Sequence, residues 1–249
     1  MKFSIVTCTW NSEPYLAQSI ASVLAQDYPD IEYIFVDGGS TDGTLERIGS
    51  IRRAVRLIEN VRGGISRAMN RGIAAATGDV IAHLHSDDYY LHPRVLSSVA
   101  EALSSTARKW AVGGCLPLFD GKLGSAARRR WPYSYFNLLT ARAHVPHPAA
   151  FVCREVWQEI GVFDETLRYA MDIDLFLRIG RKFDPAVLDE DLAASRAHPG
   201  SFSFANVWAA KTEDMRVRRK YALSHPVGTT IGLARCWVRR QRWLRLQEP

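Results

Sequence analysis

Cysteine is scarce and dispersed in this chain. The four residues Cys8, Cys115, Cys153 and Cys236 form no CxxC pair, which excludes a zinc ribbon or a thioredoxin-type redox centre and leaves reduced, mostly buried thiols as the expectation. No apolar run reaches the roughly 18 residues that a spanning helix needs, and the opening stretch Met1 to Asn11 turns polar too early for a secretory signal. The expected location is therefore cytoplasmic. Neither GxGxxG nor GxxxxGK followed by Ser or Thr occurs, so a dinucleotide fold and a P-loop kinase are both disfavoured. No internal repeat or low-complexity tract is visible. What is present is 249 residues, 47% hydrophobic and 23% charged, a balance that excludes disorder and suffices for one large core with a tail.

Charge is placed unevenly. Residues 1 to 210 carry 22 basic and 23 acidic side chains, net −1, whereas residues 211 to 249 carry 10 basic and 3 acidic, net +7. The tail holds all of the positive excess. On a helical wheel Leu233, Trp237 and Leu244 fall on one side and Arg235, Arg239 and Arg242 on the other, with Arg240 interrupting the apolar face. A basic amphipathic helix with tryptophans suits an anionic membrane surface, where each Arg near the headgroups adds about 1 kcal/mol. A solvated terminal helix packed on its own domain fits the pattern as well. Nucleic acid is not expected as a partner, because no recognised binding motif accompanies the patch.

Along the first half, strands and helices alternate. Phe3 to Thr7 reads as a strand, followed by Asn11 and Ser12 as helix-start residues and by Tyr15, Ile20, Val23 and Leu24 at helical spacing. Glu32 to Val36 is a second strand, ending at Asp37, and Gly38 to Gly43 is a loop opening another helix. Arg56 to Glu59 and Val80 to Leu84 read as the third and fourth strands, with Ile65, Ala68, Met69 and Ile73 marking the helix between them. Such alternation implies parallel βαβ units with helices on both faces of the sheet. Ligands in such sheets bind beyond the carboxyl ends of the strands, which places Thr7 to Asn11, Asp37 to Ser40 and His85 to Asp88 along one rim. The second half is less regular: Ala111 to Leu118 and Phe151 to Cys153 read as strands, Arg128 to Trp131 as a basic turn, Arg154 to Ile160 as a helix, and Leu175 to Ile179 as the continuation of a helix begun near Asp172.

Three acidic positions carry the chemistry. Asp87 and Asp88 follow a strand directly, and two adjacent carboxylates are tolerated best when a cation such as Mg²⁺ or Mn²⁺ offsets them. A polar loop capping the next helix is the alternative. Asp37 ends its strand in the same plane, where it can accept hydrogen bonds from a base or ribose, or else form an Asx turn that opens the Gly38–Gly39 loop.

These residues resemble family 2 glycosyltransferases of the GT-A fold. Phe3-Ser-Ile-Val-Thr-Cys-Thr-Trp-Asn11 looks like that family's opening strand and loop, and Phe35-Val-Asp-Gly-Gly-Ser-Thr-Asp-Gly-Thr44 is similar to its second motif. Gly64-Ile-Ser-Arg-Ala-Met-Asn-Arg-Gly-Ile73, then Thr77-Gly-Asp79 with Ser86-Asp-Asp88, match the third and fourth blocks, and the segment from Phe163 to Arg178 the fifth. The resemblance implies a Rossmann-like, mostly parallel sheet covering residues 1–205, with a nucleotide-sugar half over 1–110, an acceptor half over 111–205 and a basic helical extension over 206–249. It further implies Thr7, Thr9, Asn11, Asp37, Gly38, Asn70 and Asp87 as substrate-binding residues, with Asp37 on the base and Asp87 on the ribose. Asp88 and His198 would hold a divalent metal, Mn²⁺ or Mg²⁺, and Asp172 would be the catalytic base. Asp172 also reads as a helix N-cap. Asn60 and Arg62 depart from the family's acidic base-binding positions, and Met171 replaces a frequent Glu.

The implied activity is inverting sugar transfer from a nucleoside diphosphate sugar, a UDP-sugar being favoured, to a glycan or a polyprenyl-pyrophosphate-linked acceptor, with the protein peripheral on the inner membrane face. The rival readings are a non-catalytic nucleotide-sugar-binding or partner-binding module and, less favoured, a nucleotidyltransferase.

Overall fold

A computed structural model describes residues 1–124, 133–198, 206–221 and 224–245. Arg128, Arg129 and Arg130 lie outside the described residues, as do Pro199 to Ser201 and the side chains of Arg239, Arg240, Arg242 and Leu244.

Strand β1 (Phe3–Thr9) is buried along its whole length, as a strand covered on both faces must be. It pairs in parallel with β2 (Ile31–Asp37) and with β4 (Val80–His83), and β2 pairs in parallel with β3 (Arg56–Ile58). The predicted parallel half is thus present, with α1 (Glu13–Leu24), α2 (Thr44–Gly49) and α3 (Ile65–Ala75) as its crossovers. Beyond β4 the sheet becomes mixed. The order is β3-β2-β1-β4-β8-β6-β9-β5, where β5 is Tyr89–Tyr90, β6 Trp110–Phe119, β8 Ala150–Cys153 and β9 Ala186–Ala197, and β7 (Lys122–Leu123) pairs with β6. Strand β9 runs parallel to β6 and antiparallel to β5.

Alternation along β1 sorts the core into two layers. Phe3 and Ile5 join Tyr33, Phe35, Leu16 and Ile20 together with Val95, Leu96, Val99 and Leu103 of α4 (Val95–Thr106). Val6 and Cys8 join Met69 and Ile73 of α3 with α6 (Arg154–Ile160) and α7 (Met171–Gly180). Helices therefore cover both faces. A Cβ at Gly72 would collide with Val6, so glycine lets α3 lie directly on β1. Of the thiols, all free, Cys8 and Cys236 are buried while Cys115 and Cys153 are only half-buried.

The chain closes with α5 (Tyr135–Leu139), α8 (Val207–Arg219) and α9 (Pro226–Arg245). Helix α9 packs on the domain through small residues. Gly228, Thr229, Gly232 and Cys236 form the packed side, because a Cβ at Gly232 would meet the Leu139 carbonyl and only small residues allow so close an approach. Leu233 is half-buried, while Val227, Trp237 and Val238 face outward. Among the described residues no helix is long and apolar enough to cross a membrane.

Candidate active site

The carboxyl ends of β1, β2 and β4 present their loops side by side, and the side chains there bind one another closely. Asp37 is fully buried. Its Oδ1 accepts the N–H groups of Gly39 and Ser40 at 2.8 Å each, and its Oδ2 accepts the hydroxyls of Thr9 at 2.8 Å and Ser40 at 2.5 Å. These four bonds match the acceptor capacity of a carboxylate, and those from Gly39 and Ser40 close an Asx turn at the Gly38–Gly39 loop. Asn11, in the left-handed region with φ 49°, donates its N–H to Ser40 Oγ and accepts the Thr41 N–H on Oδ1, both at 2.9 Å. Gly38 donates its N–H to the Thr9 carbonyl at 2.9 Å. The first and second loops are thereby joined into one rigid ledge.

Two further expected substrate ligands are engaged by the protein's own backbone. The Thr7 hydroxyl is fully buried and donates to the Leu84 carbonyl at 2.7 Å. The Asn70 amide donates to the Phe163 carbonyl at 3.0 Å and accepts the Phe163 N–H at 2.9 Å, fastening α3 to the loop that leads toward Asp172.

Asp87 and Asp88 stand at the rim beyond β4. Asp88 is buried, and burial together with the neighbouring Asp87 charge pushes its carboxyl well above the usual range. The end of β9 folds back over the pair: Arg196 donates its Nε–H to the Asp87 carbonyl at 3.3 Å, and its guanidinium lies 4.7 Å from the centre of the Tyr15 ring. His198 Nε2 meets Asp87 Oδ2 at 3.1 Å. Among the described residues no three metal-binding side chains converge. The donor chemistry of Asp87 and Asp88 nevertheless fits a hard divalent cation, since both offer carboxylate oxygens and the buried Asp88 lies beside a second negative charge.

His85 is half-buried, and the charges of both Asp87 and Asp172 act on its ring. His85 Nε2 meets His147 Nδ1 at 3.2 Å, and His147 in turn packs beside His83. Asp172 is half-buried. Desolvation raises its carboxyl above the ordinary value, while His144 opposes the shift. The helix-cap reading of Asp172 is corrected: the N-cap of α7 is Ala170, and Asp172 sits in the first turn with Oδ1 accepting the Ile173 N–H at 2.8 Å. Its neighbour Asp174 is engaged elsewhere, by Arg178 at 2.9 Å and Lys220 at 3.0 Å.

Comparison with known proteins agrees with this architecture. Residues 4–158 match the model of "Glycosyl transferase family 2". An uncharacterized glycosyltransferase of Mycobacterium tuberculosis is 31% identical over 191 residues, 74% of this chain and 71% of its own, and the uncharacterized glycosyltransferase EpsJ of Bacillus subtilis is 29% identical over 80% of this chain and 62% of its own. Among solved structures, S. aureus TarS 1-349 in complex with UDP-GlcNAc superposes with a TM-score of 0.75 at 20% identity, covering 90% of this chain and 66% of that one. The mannosyltransferase PcManGT of Pyrobaculum calidifontis, in complex with GDP-Man and Mn²⁺, gives 0.65 at 16% identity over 100% of this chain and 76% of its own. With its GT-A architecture, its rim carboxylates and more than half of its length inside the family pattern, the chain belongs to glycosyl transferase family 2 and is a glycosyltransferase.

Proposed function

We propose that this glycosyltransferase inverts the anomeric centre, moving a sugar from a nucleoside diphosphate donor, with UDP the favoured nucleotide, to a hydroxyl of a glycan or a lipid-linked acceptor. The observation that carries the reading is that the charges of both Asp87 and Asp172 act on the one His85 ring, so that the acidic motif and the expected base share a neighbourhood. The ledge of Thr9, Asn11, Asp37 and Gly38 would receive the nucleoside, and Asp87 its ribose. Asp88, with Asp87 and His198 beside it, would hold Mn²⁺ or Mg²⁺. A bound divalent ion would neutralise the negative charge that develops on the departing diphosphate. Asp172 takes the proton of the acceptor hydroxyl as that oxygen attacks the anomeric carbon. The new glycosidic bond forms on the face opposite the breaking carbon–oxygen bond, whose electron pair leaves with the diphosphate. A carboxyl raised by burial is a better proton acceptor near neutral pH than one at its ordinary value.

A lipid-linked acceptor is supported by α9. Its outward stripe of Val227, Ala234, Trp237 and Val238 carries no charge, while Arg235, Arg239, Arg240, Arg242 and Arg245 occur along the same helix without an acidic residue. Apolar anchors flanked by arginines suit an anionic bilayer surface, such as the inner face of a cell membrane.

Incubation with a panel of nucleotide sugars, Mn²⁺ and candidate hydroxyl acceptors tests the reading. Release of nucleoside diphosphate coupled to a product of inverted anomeric configuration is expected. Donor binding without release would favour a binding module, and pyrophosphate release from a nucleoside triphosphate a nucleotidyltransferase.

A further inference from the structure

Glu213 lies on α8, beyond the 4–158 span of the family pattern, yet its carboxylate grips the residues that lead into Asp172. Its Oε2 accepts the backbone N–H groups of Arg168 at 3.0 Å, Tyr169 at 2.5 Å and Ala170 at 2.8 Å, and Oε1 lies 3.1 Å from the Arg168 nitrogen. Three consecutive amides converge on one carboxylate. Such charge-assisted bonds are shorter and about twice as strong as neutral ones, and a negative charge also suits the start of α7.

Helix α8 is itself anchored on the C-terminal side of this grip. Arg218 bonds Asp214 at 2.6 Å and donates to the carbonyls of Leu138 and Leu139 at 2.6 and 2.8 Å. Lys220, just past the helix, reaches Asp174 at 3.0 Å. Asp172, by contrast, makes one hydrogen bond on its own side chain, to the next residue. Its position therefore follows from the backbone before it, and that backbone is fixed by Glu213.

We propose that Glu213 is a positioning residue that sets Asp172 in its working place by clamping residues 168–170. This rests on the reading of Asp172 as the base. The C-terminal helices are then part of the catalytic apparatus, since the clamp comes from α8 and the base from α7.

The test is a double-mutant cycle on the full chain with Glu213→Gln and Asp172→Asn, measuring kcat, KM, UDP binding with Mn²⁺ by calorimetry, and thermal midpoint. Gln keeps the size of Glu but removes the charge and turns an amino group toward the clamped amides. Displacement of a reacting group by about 1 Å costs roughly a hundredfold, so Glu213→Gln is expected to lower kcat by about tenfold or more with UDP affinity within about twofold of wild type. In the Asp172→Asn background the same change is expected to cost nothing further, because the clamp acts only through Asp172. Glu213→Asp, one methylene shorter but charged, is expected to recover part of kcat and serves if the Gln chain fails to fold. Wild-type kcat in Glu213→Gln, or an equal loss in both backgrounds, would overturn the clamp. Full transfer by Asp172→Asn alone would instead overturn the base assignment, whatever Glu213→Gln does.

Discussion

The backbone N–H of Arg196 donates to Asp88 Oδ1 at 3.1 Å, across a sequence separation of 108 residues. A strand end thus supplies a hydrogen bond, and an arginine, to a carboxylate that burial would otherwise leave poorly compensated.

Asp88→Asn follows from that geometry. The amide keeps an oxygen for the Arg196 N–H and removes the buried charge beside Asp87, so the metal-free protein is expected to melt at the wild-type temperature or a few degrees above it, about 1 kcal/mol being worth roughly 2–4 °C in a chain of this size. Mn²⁺-dependent binding of the sugar nucleotide is expected to be lost. Thermal melts with and without Mn²⁺ plus donor give both answers, and an unchanged donor-induced shift would contradict the metal role.

For Asp172→Asn the expected loss is catalytic. Asn still accepts the Ile173 N–H, and since Ala170 is the N-cap the helix start stays intact, so stability should change by only a few tenths of a kcal/mol. Asn cannot take a proton, and general base catalysis is worth about 10²- to 10⁴-fold. Transfer rates are therefore expected to fall by at least the lower of these factors with donor affinity nearly unchanged, and transfer within about threefold of wild type would exclude Asp172 as the base.

Acid sensitivity should trace to the buried imidazoles. Burial pushes His83 down to about 3 and holds His147 well below its ordinary value. Both stay neutral in the fold but protonate in the unfolded chain near 6.5, so stability is fully present above that pH and is lost as pH falls toward the folded values. For His83 the cost is about 1.4 kcal/mol between about pH 7.5 and 5.5. Urea titrations at the two pH values should show His83→Leu losing about 1.4 kcal/mol less than wild type. An identical loss in both proteins would rule out His83 as a source.

The lipid reading concerns α9. Because Gly228, Gly232 and Cys236 seat this helix on the domain, removing it would expose core, and a cleaner probe is Trp237→Glu with Val238→Glu on the outward side. These changes should leave the melting temperature unchanged and abolish sedimentation with vesicles containing phosphatidylglycerol at physiological salt. Equal sedimentation of the variant and wild type would refute a membrane-facing α9.

The parallel half was legible because its strands are short apolar runs and its helices have regular spacing; α6 follows the expected bounds from Arg154 to Ile160. Helix α4 carried the same kind of signal in Leu96, Val99 and Leu103, although the sequence reading did not assign it. Strand β9 carried none. Asp189, Glu190 and Asp191 share it with four alanines, residues that disfavour strands, and it exists because β6 and β5 flank it. At the site, Asp37, Asp87 and Asp88 announced themselves as strand-end acids and Asp172 through family resemblance. Glu213 had no local cue, since its partners are backbone amides more than forty residues away.

The place of β9 also dictates an order of assembly. Its pairing joins Ala186 to Ala111 and Ala194 to Tyr89, whereas β1, β2 and β3 pair through neighbouring crossovers. Contacts of long sequence separation form late because their loop-closure entropy must be met first. During synthesis Asp87 and Asp88 emerge long before the strand that covers them, and the nucleotide ledge should fold while the acidic motif is still bare. Pulse-labelled hydrogen exchange during refolding should show β1 and β2 protected ahead of β9, and simultaneous protection would refute this sequence of events. The acidic motif is thus made well before the strand that completes it.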